Sequence, residues 1–132
     1  MNYKPLSINA EEISFKVNQV SIKPETKINL RPIFKRQVRT ADNDPSMKLL
    51  ILSMSVLTSE AEPKPFDLTI TYVASYKLFN FDGESDNEEF LLRATNDLYT
   101  YLRTTALTVT AAANIMPFML PREAPYFPPA NE

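Results

Sequence analysis

The chain has 132 residues, of which 44% are apolar and 23% charged, and its formal net charge of −2 comes from 16 acidic and 14 basic side chains. It contains no histidine, no cysteine and one glycine. The usual ligands of zinc, the usual base and thiolate of nucleophilic enzymes, and the glycines of a phosphate-binding loop are therefore missing. We predict one globular domain, 1–132, that is not an enzyme and binds a partner, with no catalytic residues, no metal and no cofactor.

The amino-acid sequence shows no targeting signal and no membrane-spanning segment. The N-terminal stretch MNYKPLSINAEE has no apolar region of the kind found in a signal peptide. The apolar runs are far shorter than the ~20 residues that cross a bilayer. We expect a cytoplasmic protein with no membrane insertion, and the lack of cysteine is compatible with a reducing compartment.

Charge is unevenly distributed along the chain. A basic segment, 23–39, has Glu25 as its only acid, and an acidic block follows at 82–89. A domain with a pI near 5.2 lacks the broad positive field of a nucleic-acid-binding protein, so we interpret the basic segment as a solvated strand face and expect no nucleic-acid partner. The acidic block lacks the glycine and closing glutamate of a calcium loop and is interpreted as a solvated turn and helix start.

The N-terminal half predicts two strands. Apolar residues alternate over 13–17 and continue in the opposite phase to residue 22, which predicts a strand over 13–22 with a β-bulge near Asn18–Gln19. Residues 27–39 predict another strand, in which Pro32 favours an edge position or a break. Residues 40–46, TADNDPS, predict a turn-rich loop.

Two long strands follow, with the clearest alternation in the chain. Residues 47–58, MKLLILSMSVLT, carry apolar side chains on one face and, at one end, on both. Residues 66–81, FDLTITYVASYKLFNF, alternate strictly, so their aromatic residues Phe66, Tyr72 and Tyr76 are predicted to lie in the core. The intervening SEAEPKP is typical of a connecting turn.

A helix is predicted over 85–116. Ser85 and Glu88 have the spacing of a capping box, an apolar stripe recurs at three- and four-residue steps, and Pro117 marks the end. The tail, 117–132, contains five prolines that exclude a regular helix or ladder, so it is predicted to be extended or turn-like. Strands followed by one helix indicate an α+β fold with an antiparallel sheet over 11–81.

The order of these elements resembles the SecB protein-export chaperone family. ISFKVNQVSI (13–22) is similar to that family's first strand, and the two long strands are similar to its central hairpin, including Leu78 and Phe79 near the strand end. DLYTYLRTTALTVTAAANIMP (97–117) resembles its helix, with Tyr101 and Arg103 followed by small and hydroxyl residues up to a proline. The resemblance implies a four-stranded antiparallel sheet packed against one long C-terminal helix, ending in a proline-rich aromatic tail.

The resemblance also implies partners. It implies an ATP-independent holdase for unfolded or extended polypeptides, assembled as a homotetramer, a dimer of dimers. Leu49, Ile51, Val73 and Phe81, on the second sheet face or at its ends, would need another subunit to bury them. Pro24 and Ile28 stand where that family carries acids for the SecA motor, and Glu25 is one residue out of register. These departures argue against SecA as a partner and fit the relatives that serve toxin–antitoxin pairs at least as well.

We predict that client polypeptides contact one residue of the segment 27–39 and five residues of the tail. In the family that this chain resembles, the groove forms between the loop after the long helix and the loop connecting the first strands. The predicted residues are Phe34, Phe118, Met119, Leu120, Tyr126 and Phe127. Their large apolar surfaces suit unspecific binding, although the tail residues could equally close the end of the core, and an edge strand could accept an extended client. The alternative function is a non-enzymatic adaptor that binds one folded protein.

Overall fold

Five strands and one helix make up the described part of the chain. The computed structural model describes residues 1–19, 30–80, 82–127 and 129–130. The strands are β1 (Asn2–Val17), β2 (Ile33–Ala41), β3 (Asp44–Val56), β4 (Phe66–Phe79) and β5 (Pro129–Ala130), and the helix is α1 (Gly83–Ala112). Within the described part of the chain, no helix is both long and apolar enough to span a membrane.

The four long strands form an antiparallel sheet in the order β1-β4-β3-β2, as the α+β prediction requires. The hairpin of β3 and β4 agrees with the alternation of the sequence, since Leu50, Leu52, Met54 and Val56 are buried on one face. The predicted loop over 40–46 is shorter than expected. Strand pairing runs through Ala41 and resumes at Asp44, so only a tight turn remains.

The first strand begins earlier than the sequence suggested. β1 starts at Asn2 and pairs with β4 as far as Val17↔Phe66, and its register shifts lie between Pro5 and Ser7 and between Ala10 and Glu12. The bulge predicted near Asn18–Gln19 is therefore wrong, because both residues follow the end of the strand. The rest of that predicted strand, 20–22, and the start of the next, 27–29, lie outside the described residues. β2 begins at Ile33, directly after the predicted break at Pro32.

Helix α1 begins two residues before the predicted start and ends four residues before the predicted end. Asp82 is its N-cap, and the Asp82 N–H donates to the carboxylate of Asp86 (2.8 Å), so Ser85 lies inside the helix and is not its cap. At the other end the Ile115 N–H donates to the Thr110 carbonyl (3.4 Å) and the Asn114 N–H to the Ala111 carbonyl (3.1 Å). These are the two bonds of a Schellman motif, with Asn114 in the left-handed conformation at φ 59°.

The core lies between α1 and the central strands. The helix packs on β3 and β4, and its buried stripe includes Phe90, Leu98, Tyr99 and Leu102. Phe66 and Tyr76 are buried as predicted, whereas Tyr72 is partly exposed. Because one helix covers only part of a four-stranded sheet, the helix-facing side chains of β1 are poorly covered: Ile13 is 49% exposed and Val17 52%.

The tail is mostly irregular, but its end departs from prediction. β5 pairs in parallel with β2, Arg36 opposite Pro129 and Gln37 opposite Ala130. This ladder is possible despite the prolines because β2 is an edge of the antiparallel sheet, where a proline without an N–H is tolerated. The tail therefore returns to the sheet.

Thr110 connects the helix end to the tail. Its side chain is fully buried, its hydroxyl donates to the Ala106 carbonyl (2.8 Å), and the Phe118 N–H donates to it (2.8 Å). We expect Thr110→Val to leave that N–H without its acceptor and to lower the free energy of unfolding by about 1–3 kcal/mol. Urea denaturation followed by circular dichroism measures this. Thr108→Val, on the exposed side of the same turn, is the matched control, and an equal loss in both variants would contradict the assignment.

Candidate functional site

An apolar groove of about 330 Å³ opens where the helix end meets the sheet. It is almost free of polar surface. One wall comes from the loop after α1, another from the start of β4, and Leu30, from the loop between β1 and β2, closes the third side. The residues that line the apolar groove are Leu30, Pro65, Phe66, Ile115, Met116, Pro117 and Phe118. A groove of this size accepts one or two large apolar side chains.

Aromatic rings in tilted contact form the base of the apolar groove. The Phe66 ring lies 5.6 Å from the Phe15 ring on β1 and 6.0 Å from the Phe118 ring after the helix, measured between ring centroids. Phe66 is nearly buried, while Met116 at the rim is 88% exposed. The groove therefore combines a rigid aromatic base with an adaptable thioether at its edge.

The loop between β3 and β4 is held by a carboxylate next to the apolar groove. Asp67 accepts hydrogen bonds from the Thr58 N–H (2.8 Å) and from the Asn18 side-chain amide (3.0 Å). The Asn18 N–H donates to the carbonyl of Pro65, a residue of the groove wall (2.8 Å). Lys64, nearly buried, donates to the Leu57 carbonyl (3.0 Å). These bonds fix the wall without placing a polar side chain in the groove.

A separate aromatic pocket lies at the β2 edge of the sheet. It is formed by Phe34 of β2 and Tyr99 of α1, whose rings are 6.3 Å apart. The Phe127 ring fills it, 5.4 Å from Phe34 and 6.3 Å from Tyr99. The aromatic pocket, Phe34 and Tyr99, is thus occupied by the chain's own tail.

The six predicted client-contacting residues do not form one surface. Phe118 lines the apolar groove, and Met119 (65% exposed) and Tyr126 (80%) point to solvent. Leu120 and Phe127 are each only 2% exposed, so in this structure they lie in the core rather than on the predicted surface. Phe34 is partly buried behind Phe127.

Sequence reasoning missed most of the apolar groove. Ile115 and Met116 belong to the predicted helix, because Pro117 predicts its end. Asn114 ends the helix earlier, and asparagine in the left-handed conformation is a recognisable alternative to glycine at that position. Leu30 belongs to the strand predicted over 27–39, whereas β2 begins only at Ile33 and Leu30 lies before it. Pro65 has no sequence signal, because its position depends on the folded sheet.

Among the described residues, the basic segment does not form a single positive face. Arg36 points toward the helix, where its guanidinium donates to the Thr95 hydroxyl (3.3 Å), whereas Lys35 and Arg39 lie on the opposite, exposed side of β2. Arg31 pairs with Glu62 at 2.9 Å. In the described part of the chain, no three acidic side chains are grouped closely enough to hold a metal ion.

Comparison with protein-family models and with curated protein sequences gives no match. Among solved structures, the chain is similar to the SecB-like chaperone Rv1957 of Mycobacterium tuberculosis, solved in complex with a ChAD peptide from the HigA1 antitoxin. The TM-score is 0.68 at 13% identity, over 92% of this chain and 88% of that one. A protein of unknown function from Streptococcus agalactiae gives a TM-score of 0.48 at 11% identity, over 92% and 98%. The first likeness confirms the predicted SecB-like fold.

Asp67 makes the groove wall sensitive to pH. The Thr58 N–H, and after it the Asn18 amide, hold the pKa of this carboxyl below its usual range. A lowered folded-state pKa stabilises the fold above the unfolded pKa, near 4, and this stabilisation is lost as the pH falls through the folded value. We expect Asp67→Asn to lower the urea midpoint at pH 7 and the difference from wild type to shrink below about pH 4.

Urea denaturation of both proteins between pH 7 and pH 3 measures this difference. Glu60→Gln, at an exposed position of the same loop, should leave the midpoint nearly unchanged. A difference for Asp67→Asn that stays constant down to pH 3 would show that the carboxylate charge is not what holds the loop.

Proposed function

We propose that this chain is an ATP-independent holdase that binds unfolded or extended polypeptides through the apolar groove, in protein export or in antitoxin protection. The observation that carries the proposal is an open groove of nearly pure apolar surface, built on a SecB-like fold between the loop after the helix and the loop connecting the first two strands. The peptide bound to the SecB-like neighbour supports an extended polypeptide as the ligand.

The chemistry of the site suits weak and unspecific binding. A holdase needs apolar contact area that many sequences can use, and it needs no nucleotide and no reacting group. The aromatic base of Phe66 and Phe118 offers area at a low entropic cost, and Met116 adapts its shape to different partners. Among the described residues, no group that lines the apolar groove can act as an acid, a base or a nucleophile, which supports a non-enzymatic role.

Within the predicted client-binding set, the accessible side chains take the direct role. Phe118 contacts the client from the groove, and Met119 and Tyr126 extend the apolar surface along the tail. Leu120 and Phe127 hold the tail on the body of the protein, and Phe34 supports Phe127. The predicted site thus separates into a contacting part and a supporting part.

Self-association completes the proposal. The outer edge of β1 has no strand partner within the described residues, and a trough of about 420 Å³ separates this strand from α1. The trough is lined by Tyr3, Pro5, Ile8, Tyr76, Asp97, Thr100 and Tyr101. A second copy that adds its own β1 to this edge would pair the strand and cover Ile13 and Val17. We propose that two such dimers form the homotetramer and that several apolar grooves then act together on one client, in the cytoplasm.

Met116 provides a test of the apolar groove that does not disturb the core. Burying a methionine side chain contributes about 1.5 kcal/mol or more, roughly a tenfold change in affinity. We expect Met116→Ser to weaken capture of a permanently unfolded model protein by up to about tenfold, measured by fluorescence anisotropy.

Leu92→Ser is the matched control, because Leu92 is 65% exposed on the first half of the helix, about 30 Å of helix away from the groove. Equal affinities of wild type and Met116→Ser would remove the client site from this groove. Capture of one folded protein but of no unfolded chain would favour the adaptor instead.

The edge of β1 provides a test of assembly. We expect light scattering after size exclusion to give about four times the 15.1 kDa chain mass for the wild type. Ile13→Lys places a charge on the uncovered apolar face of β1 and should give a smaller particle. Ser14→Lys adds the same charge on the opposite face and should assemble normally. A monomeric wild type would reject the tetramer and leave the groove assignment to the binding assay.

A further inference from the structure

The tail after α1 is attached to the protein in two different ways. Its first half is held by polar bonds to the helix: Tyr99 donates its hydroxyl to the Pro121 carbonyl (2.6 Å), and Arg103 donates its Nε–H to the Leu120 carbonyl (3.1 Å). With the bond from the Phe118 N–H to Thr110, these anchor the tail as far as Pro121. Among the described residues, the hydrogen bonds between helix and tail end there.

Among the described residues, the second half of the tail is held by Phe127, by the partly buried Ala124 and by a short ladder. Phe127 inserts into the aromatic pocket, and β5 pairs two of its residues with the outer edge of β2. The segment between these attachments and Pro121 is largely exposed, and Tyr126 is 80% exposed. A two-residue ladder with a proline as one member has few bonds to lose. The second half therefore depends mainly on the burial of one phenylalanine ring.

The place that this half occupies has the features of a peptide-binding site. With the tail removed, β2 would present an open strand edge next to two exposed aromatic rings, those of Phe34 and Tyr99. An edge strand binds an extended peptide through main-chain hydrogen bonds, and a pocket beside it selects one side chain. The resident segment shows which chemistry fits, since its aromatic ring enters the pocket two residues before the ladder begins at Pro129.

We propose that the β2 edge and the aromatic pocket form a second polypeptide-binding site, filled at rest by the chain's own tail. Its ligand is an extended, proline-containing client segment with an aromatic residue two positions before the paired stretch. The client displaces the chain's own tail and makes the same contacts. The displaced Phe127 then adds to the apolar surface that is available to the client. This inference rests on the proposed holdase function, because it names a class of client segment and the device that regulates access.

The test uses the resident segment as its own probe. The probe is a fluorescein-labelled peptide of residues 122–130, REAPYFPPA, with the same peptide carrying alanine for its phenylalanine as the inactive control. Phe127→Ala in the full chain empties the aromatic pocket, and Glu123→Ala is the matched control, because Glu123 is an exposed residue of the same tail segment. If the tail fills its site at least nine-tenths of the time, emptying the pocket raises the apparent affinity for the probe by about tenfold.

We therefore expect the probe to bind Phe127→Ala about tenfold more tightly than wild type or Glu123→Ala, and the control peptide to bind none of them. Thermal unfolding checks that Phe127→Ala is folded. If it is not, Phe127→Leu keeps an apolar side chain in the pocket and should give a smaller gain, of about threefold. Equal affinity of the probe for wild type and both variants would overturn the proposal.

The same proteins separate failure of this inference from failure of the holdase function. The unfolded model protein is added to each, and its affinity is measured with and without excess unlabelled peptide. Competition by the peptide in Phe127→Ala supports the second site. Client binding that the peptide never reduces leaves the holdase intact and rejects the second site. If no protein binds the client while the probe still binds, the holdase function is rejected. The aromatic pocket would then bind only the tail of this chain.

Discussion

One helix has to cover a sheet of four long strands, and it cannot do so. Helix α1 is about 45 Å long but only about 10 Å wide, whereas strands lie almost 5 Å apart, so it covers the central pair β3 and β4 and leaves the outer strands to other partners. The surfaces at the two edges of the sheet follow from this mismatch. At the β2 edge the chain supplies its own tail, and at the β1 edge the apolar side chains remain open.

The tail therefore has a buried part and an exposed part. Buried Leu120 and Phe127 pack the tail against the core, and Thr110, Tyr99 and Arg103 supply the polar bonds that an irregular segment needs there. Between these anchors the chain exposes Met119 and Tyr126 and forms one wall of the apolar groove. A proline-rich segment is well suited to such a position, because it loses less entropy on ordering.

The two grooves differ in what closes them. The apolar groove is open, because the loops around it are fixed by Asp67 and by the Schellman motif at Asn114, and no described side chain of this chain enters it. The aromatic pocket is closed by Phe127. Under the proposed holdase function, a client would bind the open apolar groove directly. It would have to displace Phe127 before it could bind the aromatic pocket, so this second site would require a higher client affinity or concentration.

Much of this architecture is readable in the amino-acid sequence. Period-two alternation predicts β3 and β4 and their buried face, and three- and four-residue spacing predicts α1. The lack of histidine and cysteine favours binding over catalysis. Those features are local, and each depends on neighbours within one element. Only the tertiary structure decided which side chains of the tail are covered. Tyr126 and Phe127 are adjacent in one proline-rich segment, as are Met119 and Leu120, yet one of each pair is exposed and the other buried. In an irregular segment no periodicity links sequence position to side-chain direction, so burial is set by where the backbone is pinned to the helix and to the edge of β2.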